Sequence, residues 1–218
     1  KQIIVIISTY LITMNVLAKE KPQFINTQVG KIAVYINEVP TSELPVIFLH
    51  GVYLDHLLWG AQVAAIRDRT TITVDMPLHG SSKDIVKASW TLTDCANMLI
   101  EILDSLNIPK VIAVGHSWGS MTILRAAHKH PVRFASIVLC NMPFQSVSLT
   151  QKAAFGLQHS MLVFRHFYTK QAAKALFGKS TLREHPSLVD HLKRPMGNLS
   201  NSQIIQTDRS VILHAEDA

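Results

Sequence analysis

The sequence predicts an α/β fold built on a mainly parallel sheet. Three observations carry that prediction. Short, nearly continuous apolar runs recur at Leu44–Leu49, Thr71–Val74, Val111–Val114 and Ser136–Leu139, and such runs suit strands covered on both faces. Segments with helical spacing lie between the later runs. Strand and helix therefore alternate, as they do when crossover helices join parallel strands.

The elements follow in chain order. Phe24–Val29 and Lys31–Ile36 are two β-rich runs around Gly30 and predict a hairpin. After the Leu44 and Thr71 strands, Leu92, Ala96, Leu99, Leu103 and Leu106 recur at helical spacing. Thr91 with Asp94 three residues on marks the start of that helix as a capping box, and Asn107 ends it. Met121–His130 predicts a second helix, stopped by Pro131. From Met142 to Ser210 there is no good strand. Lys152–Tyr168 and Gln171–Phe177 are helix-like, so residues 142–209 are expected to form a helical cap inserted into a core that begins at residue 19 and is interrupted after residue 141. Val211–His214 is expected to return to the sheet over residues 210–218. With no further helix after that strand, the C-terminal part of the domain is expected to be missing from the chain.

Bulk properties set the class. The 218 residues suit one domain, or one domain with an insertion. Apolar residues make up 48% and charged residues 17%, which supports a sizeable core and excludes global disorder. The formal net charge is +6. Its lysines and arginines are scattered, whereas a nucleic-acid partner calls for a clustered patch, so none is expected. Residues 1–18 pair Lys1 with an apolar stretch and small residues, as a secretory signal peptide does. An exported protein is expected on that basis, with an uncleaved anchor or a packed N-terminal element as alternatives. The stretch falls short of the roughly 20 apolar residues of a spanning helix, so no stable membrane span is expected. Cys95 and Cys140 show no metal-ligand spacing and read as two packed thiols.

The chemistry concentrates in three motifs. Gly115-His116-Ser117-Trp118-Gly119 fits G-x-S-x-G and sits between an apolar strand and a helix, the context a nucleophile elbow requires. Gly115 and Gly119 leave space where side chains would collide. His50-Gly51 ends an earlier buried strand. Acyl transfer needs two backbone N–H groups facing the developing oxyanion. Trp118 supplies one, and Val52, just after His50-Gly51, is the candidate for the other. Asp75-Met76-Pro77-Leu78-His79-Gly80-Ser81-Ser82 follows the Thr71 strand, and there Asp75 and His79 read as loop braces.

With these motifs in this order, Phe24 to the C-terminus resembles the α/β-hydrolase fold family: a mainly parallel sheet flanked by helices, with a helical cap. Family members commonly carry Gly where Leu78 stands. The resemblance implies a Ser, acid, His triad in chain order. Ser117 takes the nucleophile position. The acid position falls most naturally on Ala218, with Asp217 one place early and Glu216 two, so Asp217 is the weak candidate. Asn141 occupies the other acid position and is not a carboxylate. The base should follow the acid, and none of the eleven histidines lies there. The chain is thus expected to be catalytically incomplete. Relatives that open epoxides or displace halide use Asp at the elbow, so Ser117 points to an ester, lactone, thioester or amide. The implied partner is a small-molecule acyl substrate, with no metal or organic cofactor. Apolar cap residues such as Phe155, Leu157, Leu162 and Phe164 fit either an acyl pocket or plain packing. Lys179 and Arg183 fit a solvated helix face better than an anion site. Ala218 at the acid position leaves a non-catalytic ligand-binding member of the fold as the alternative reading.

Overall fold

The computed structural model describes residues 21–143, 147–164, 169, 178–184, 186 and 188–213. Its centre is a six-stranded sheet. The strands are β1 (Gln23–Asn26), β2 (Lys31–Asn37), β3 (Val46–Leu49), β4 (Thr71–Val74), β5 (Val111–His116) and β6 (Phe134–Cys140), in the spatial order β1-β2-β4-β3-β5-β6. β1 and β2 form the expected hairpin, with Ile25 opposite Ile32. β2 meets β4 antiparallel, and the β4-β3-β5-β6 pairings are all parallel. The C-terminal ends of β3, β4 and β5 therefore lie along one edge of the sheet.

β3 shows why a run without polar alternation becomes a central strand. Ile47 and Leu49 enter the main core, while Val46 and Phe48 join a second cluster on the opposite face with Leu57, Trp59 and Val63. That second face is covered by a 3₁₀ turn (His56–Trp59) and α1 (Gly60–Ala65). Phe48 and Trp59 meet there with ring centroids 5.1 Å apart.

The other face carries α2 (Leu92–Ser105) and α3 (Trp118–Lys129). α2 begins as expected: the Thr91 hydroxyl accepts from the Asp94 N–H, and the Asp94 carboxylate accepts from the Thr91 N–H. Its buried residues include Leu92, Ala96, Leu99 and Leu103. Asn107 follows it at φ 54. α3 starts at Trp118, three residues before the stretch read from apolar spacing, because the strand-to-helix turn itself supplies its first turn. Both thiols are free. Burial pushes the Cys95 thiol up to about 12, which keeps it protonated and inert.

After β6 the described elements are helical: α4 (Leu149–Ser160), a 3₁₀ turn (Met161–Phe164), α5 (Lys179–Glu184), α6 (Leu188–Gly197) and α7 (Asn201–Asp208). The core takes in Leu162, Met196, Leu199 and Ile204 from this segment. Polar ties add to that. Arg194 pairs with Asp55 at 2.9 Å, Lys83 Nζ donates to the Asn198 carbonyl, and Gln206 donates to the Ala88 carbonyl. All of these reach loops that follow β3 and β4, so the helical segment packs on the edge of the sheet where those strands end. No described helix is long and apolar enough to cross a membrane.

One expectation is overturned. Arg209–Leu213 is not a strand rejoining the sheet; it is a π-helical turn that continues α7. α7 opens with its own capping box, in which Ser200 and Gln203 exchange bonds. The helix then runs on past Asp208, and Val211 is buried against the core. A short apolar run does not by itself distinguish a strand from a buried helical turn, and here the preceding cap decides. Residues 1–18, Gln171–Phe177 and Asp217 lie outside the described residues.

Leu99 is fully buried within the main core. Leu99→Ala is expected to cost about 2–5 kcal/mol, since the cavity closes only in part. Val138→Ala, on the 46% exposed Val138 of β6, is expected to cost about 0.5 kcal/mol or less. Urea unfolding followed by circular dichroism separates the two.

Candidate active site

Ser117 stands on the turn between β5 and α3 with φ 50 and ψ −109. A non-glycine residue at positive φ is strained and persists only where its surroundings enforce it. Those surroundings are visible. The Ser117 N–H donates to the Cys140 carbonyl at 2.8 Å, and the Ser117 carbonyl accepts from the Met121 N–H. A Cβ on Gly115 would stand 2.5 Å from the Ser120 nitrogen, and one on Gly119 would collide with the Leu49 carbonyl. Both elbow glycines are therefore required by close backbone approach. The chain reverses tightly enough to leave Ser117 half-buried at the N-terminus of α3, where the helix dipole favours negative charge.

The loop after β3 lies against this turn. A Cβ on Gly51 would come within 3.2 Å of Ser117 Cβ and 2.6 Å of His116 Nδ1. The Gly119 N–H donates to the His50 carbonyl at 3.1 Å. Most N–H groups around the turn are engaged: Ser117 to Cys140, Gly119 to His50, Tyr53 to His79 Nε2, and Leu54 to Gly51. Among the described residues, the N–H groups of Val52 and Trp118 donate to nothing. These are the two groups expected to face an oxyanion.

His50 and His79 are braces. The Met76 N–H donates to His50 Nε2 at 2.9 Å, which puts the ring proton on Nδ1, and Nδ1 donates to the Gly51 carbonyl at 2.7 Å. His79 is built the same way: Nε2 accepts from the Tyr53 N–H and Nδ1 donates to the Pro77 carbonyl. Both rings are fully buried in a setting that disfavours charge. Burial lowers the His50 pKa and takes that of His79 down to about 3. Neither can serve as a base to Ser117 without breaking the loops it holds.

Asp75 is the ionised centre of the scaffold. Its carboxylate accepts from the N–H and Nδ1 of His56, both at 2.9 Å, from the Ser81 N–H at 2.8 Å and from the Tyr35 hydroxyl at 3.1 Å. Burial opposes its charge, but the His56 bonds outweigh it and hold the carboxyl at about 2. Burial and this neighbouring charge together raise Tyr35 well above the usual phenol range. Gly80, at φ 49, lies against that carboxylate so closely that any Cβ would collide with it. Leu78 holds φ 68 in the same turn. Its side chain is 5% exposed and sits in the main core, so burial offsets the strain that a glycine would avoid.

Two further histidines are placed as follows. His116 Nε2 lies 3.2 Å from Asn141 Nδ2, and its buried Nδ1 has no partner among the described residues. His159, on α4, donates from Nε2 to Asp208 at 2.8 Å. Among the described residues no side chain hydrogen-bonds to Ser117 Oγ. Asp217, the weak acid candidate, lies outside the described residues, and the strand on which its placement rested is helical. Sequence reading missed Tyr53, Asp208 and His159. Their partners are 49 and 155 residues apart in the chain, beyond any local spacing signal.

Comparison with known proteins identifies the fold family. The family model for the alpha/beta hydrolase fold matches residues 45–194. The chain belongs to that family. Among curated relatives, 3-oxoadipate enol-lactonase 1 of Acinetobacter baylyi is 33% identical over 117 residues, which is 53% of this chain and 43% of the lactonase. Epoxide hydrolase B of Mycobacterium tuberculosis is 26% identical over 126 residues, 56% of this chain and 35% of its own. The aligned part of the chain thus spans less than half the length of either relative. Among solved structures, a thermophilic esterase from Thermogutta terrifontis superposes with a TM-score of 0.75 at 21% identity, covering 90% of this chain and 74% of the esterase. At that identity the likeness speaks to fold alone.

Two predictions follow from the braces. For His50 and His79 the folded pKa lies below that of the unfolded chain, so their neutral rings contribute stability above about pH 6.5 that is lost as pH falls, for His79 toward about 3. Asp75 acts later, with its contribution complete above about pH 4 and lost toward pH 2. Urea midpoints measured from pH 8 to pH 4 are expected to fall for the parent, and His79→Gln is expected to flatten that slope; parallel slopes would show that His79 is not a neutral brace. Gly51→Ala is expected to keep the helical circular-dichroism spectrum while reducing the reactivity of Ser117, because the new methyl pushes the loop off the elbow.

Proposed function

We propose that this protein is a serine hydrolase that cleaves a carboxylic ester or related acyl bond through an acyl-enzyme on Ser117. The observation that carries the reading is Ser117 at φ 50 on a glycine-flanked strand-to-helix turn, with the Gly51 loop lying against it. Ser117 Oγ attacks the carbonyl carbon, the carbonyl π electrons move to oxygen, and the Val52 and Trp118 N–H groups receive that oxyanion. Collapse of the tetrahedral species expels the alcohol or amine, and water then releases the acid. A hydroxyl needs a base at neutral pH. His50 and His79 are committed to loop backbone groups, and no described side chain, His116 included, hydrogen-bonds to Ser117 Oγ, so base and acid are assigned to residues outside the described ones.

Two further considerations support an acyl substrate. A relative of this chain is an enol-lactonase. The elbow residue is Ser rather than the Asp that the resemblance associates with epoxide opening. The helical segment lies over the same sheet edge and can enclose an acyl or aryl group, and the leader-like residues 1–18 support export.

The test is labelling of the full-length protein with a fluorophosphonate. Labelling is expected, and Ser117→Ala is expected to abolish it and to lower esterase turnover by ~10⁴–10⁶-fold. A folded, full-length protein that does not label would put a ligand-binding role ahead of catalysis.

A further inference from the structure

Tyr53 follows the proposed oxyanion donor Val52 directly and is held at φ 62. Its backbone N–H is fixed by His79, and its phenol donates to Asp208 Oδ1 at 2.5 Å. The other oxygen of Asp208 accepts from His159 Nε2 at 2.8 Å. Three separate parts of the chain meet in this cluster: the loop after β3, the end of α7 and the end of α4. Asp208 is fully buried and the His159 side chain is 12% exposed.

A buried carboxylate is a costly way to fasten two elements together. Burial raises the Asp208 pKa, with the bonds from Tyr53 and His159 acting against that rise. The ionised form is therefore disfavoured where it stands. α7 already has apolar anchors in Ile204 and, beyond it, Val211, and apolar residues at such a site are often as stabilising as a buried pair or more so. Adhesion alone does not require Asp208. Its distinctive property is direction: it holds one hydroxyl, on the residue beside the oxyanion donor, at a set position. That residue is strained and needs such restraint.

We propose that Tyr53, Asp208 and His159 form a positioning relay, in which the helical segment sets the Tyr53 phenol and thereby fixes the Val52 N–H against Ser117. The relay rests on the Ser117 reading for its catalytic consequence, but not for its structural one. It makes the oxyanion site complete only when α4 and α7 are seated, and so couples substrate enclosure to catalytic power.

The full-length protein and four variants test this: Tyr53→Phe, Asp208→Ala, Asp208→Asn and, as a control on α7, Gln206→Ala, which removes a tie to the Ala88 carbonyl. Asn at 208 can still accept from Tyr53 and donate to a neutral His159. Tyr53→Phe and Asp208→Ala are expected to lower kcat for a p-nitrophenyl ester roughly tenfold, the scale of one lost hydrogen bond, with KM within about twofold. Amide exchange across residues 51–54 is expected to speed up by a similar factor in both. Asp208→Asn is expected to restore most of each loss, and Gln206→Ala to change neither. Unchanged exchange in Tyr53→Phe and Asp208→Ala overturns the relay, whatever the activity. Equal losses in Gln206→Ala overturn it too, because any loosened tie would then suffice. If the parent fails to label with fluorophosphonate, the Ser117 reading fails by itself, and the exchange results still decide whether these residues hold the loop.

Discussion

The site depends on one close approach: Gly119, on the first turn of α3, lies against the carbonyl of Leu49 at the end of β3. Nothing larger than glycine fits there. The approach brings the Gly119 N–H onto the His50 carbonyl and seats the next residue, Gly51, against Ser117. It forces Ser117 to positive φ as well, because β5 must turn into α3 without moving away from β3. The strain at Ser117 and its position against the loop after β3 are thus two results of one packing constraint. The parallel pairing of β3 with β5, with Leu49 opposite Gly115, sets the height at which the two strands end.

A polar scaffold beneath the elbow keeps the two loops in register. His50 and His79 each accept one backbone N–H and donate to one carbonyl, so each ring closes a loop that secondary structure does not reach. Such bonds are individually modest, but a buried group left without its partner is costly. The rings therefore act as switches that must stay neutral, and their low pKa values are a condition of the architecture. In a Ser hydrolase mechanism the base is expected to titrate near the working pH. His50 and His79, both held below the ordinary histidine value, belong to the frame around Ser117.

Much of this was legible in the sequence, and the failures have physical causes. β3 and β4 were readable because strands buried on both faces need apolar residues without alternation, and β5 and β6 carry similar runs although β6 lies at the sheet edge with Val138 46% exposed. α2 was readable because Thr91 and Asp94 mark its start and its core face repeats. The tight strand-to-helix turn at Ser117 was legible because close backbone approach demands glycine at Gly115 and Gly119. Val211–Leu213 misled because three apolar residues satisfy a strand and a buried helical turn alike. The capping box at Ser200, far upstream, was the discriminating signal. The cluster of Tyr53, His159 and Asp208 was illegible. A hydrogen bond across 155 residues leaves no local spacing, and tyrosine, histidine and aspartate each have commoner roles nearby.

The loop after β3 is suspended between two buried carboxylates that the protein treats in opposite ways. Asp75 receives four donors, two of them from His56, and its charge is held despite burial. Asp208 receives two, from Tyr53 and His159, and burial wins. The difference follows from counting donors, since each bond to the charged form offsets part of the desolvation cost. It also follows from what supplies them. Asp75 is satisfied by elements of the sheet body alone, including backbone N–H groups that cannot leave. Asp208 is carried on one helix after β6 and is satisfied by a side chain from another and by the loop itself. One end of the loop is therefore anchored permanently at His56. Tyr53, nearer the start of the loop, is anchored by a bond whose strength depends on how the helices after β6 are seated, and Val52 is its immediate neighbour.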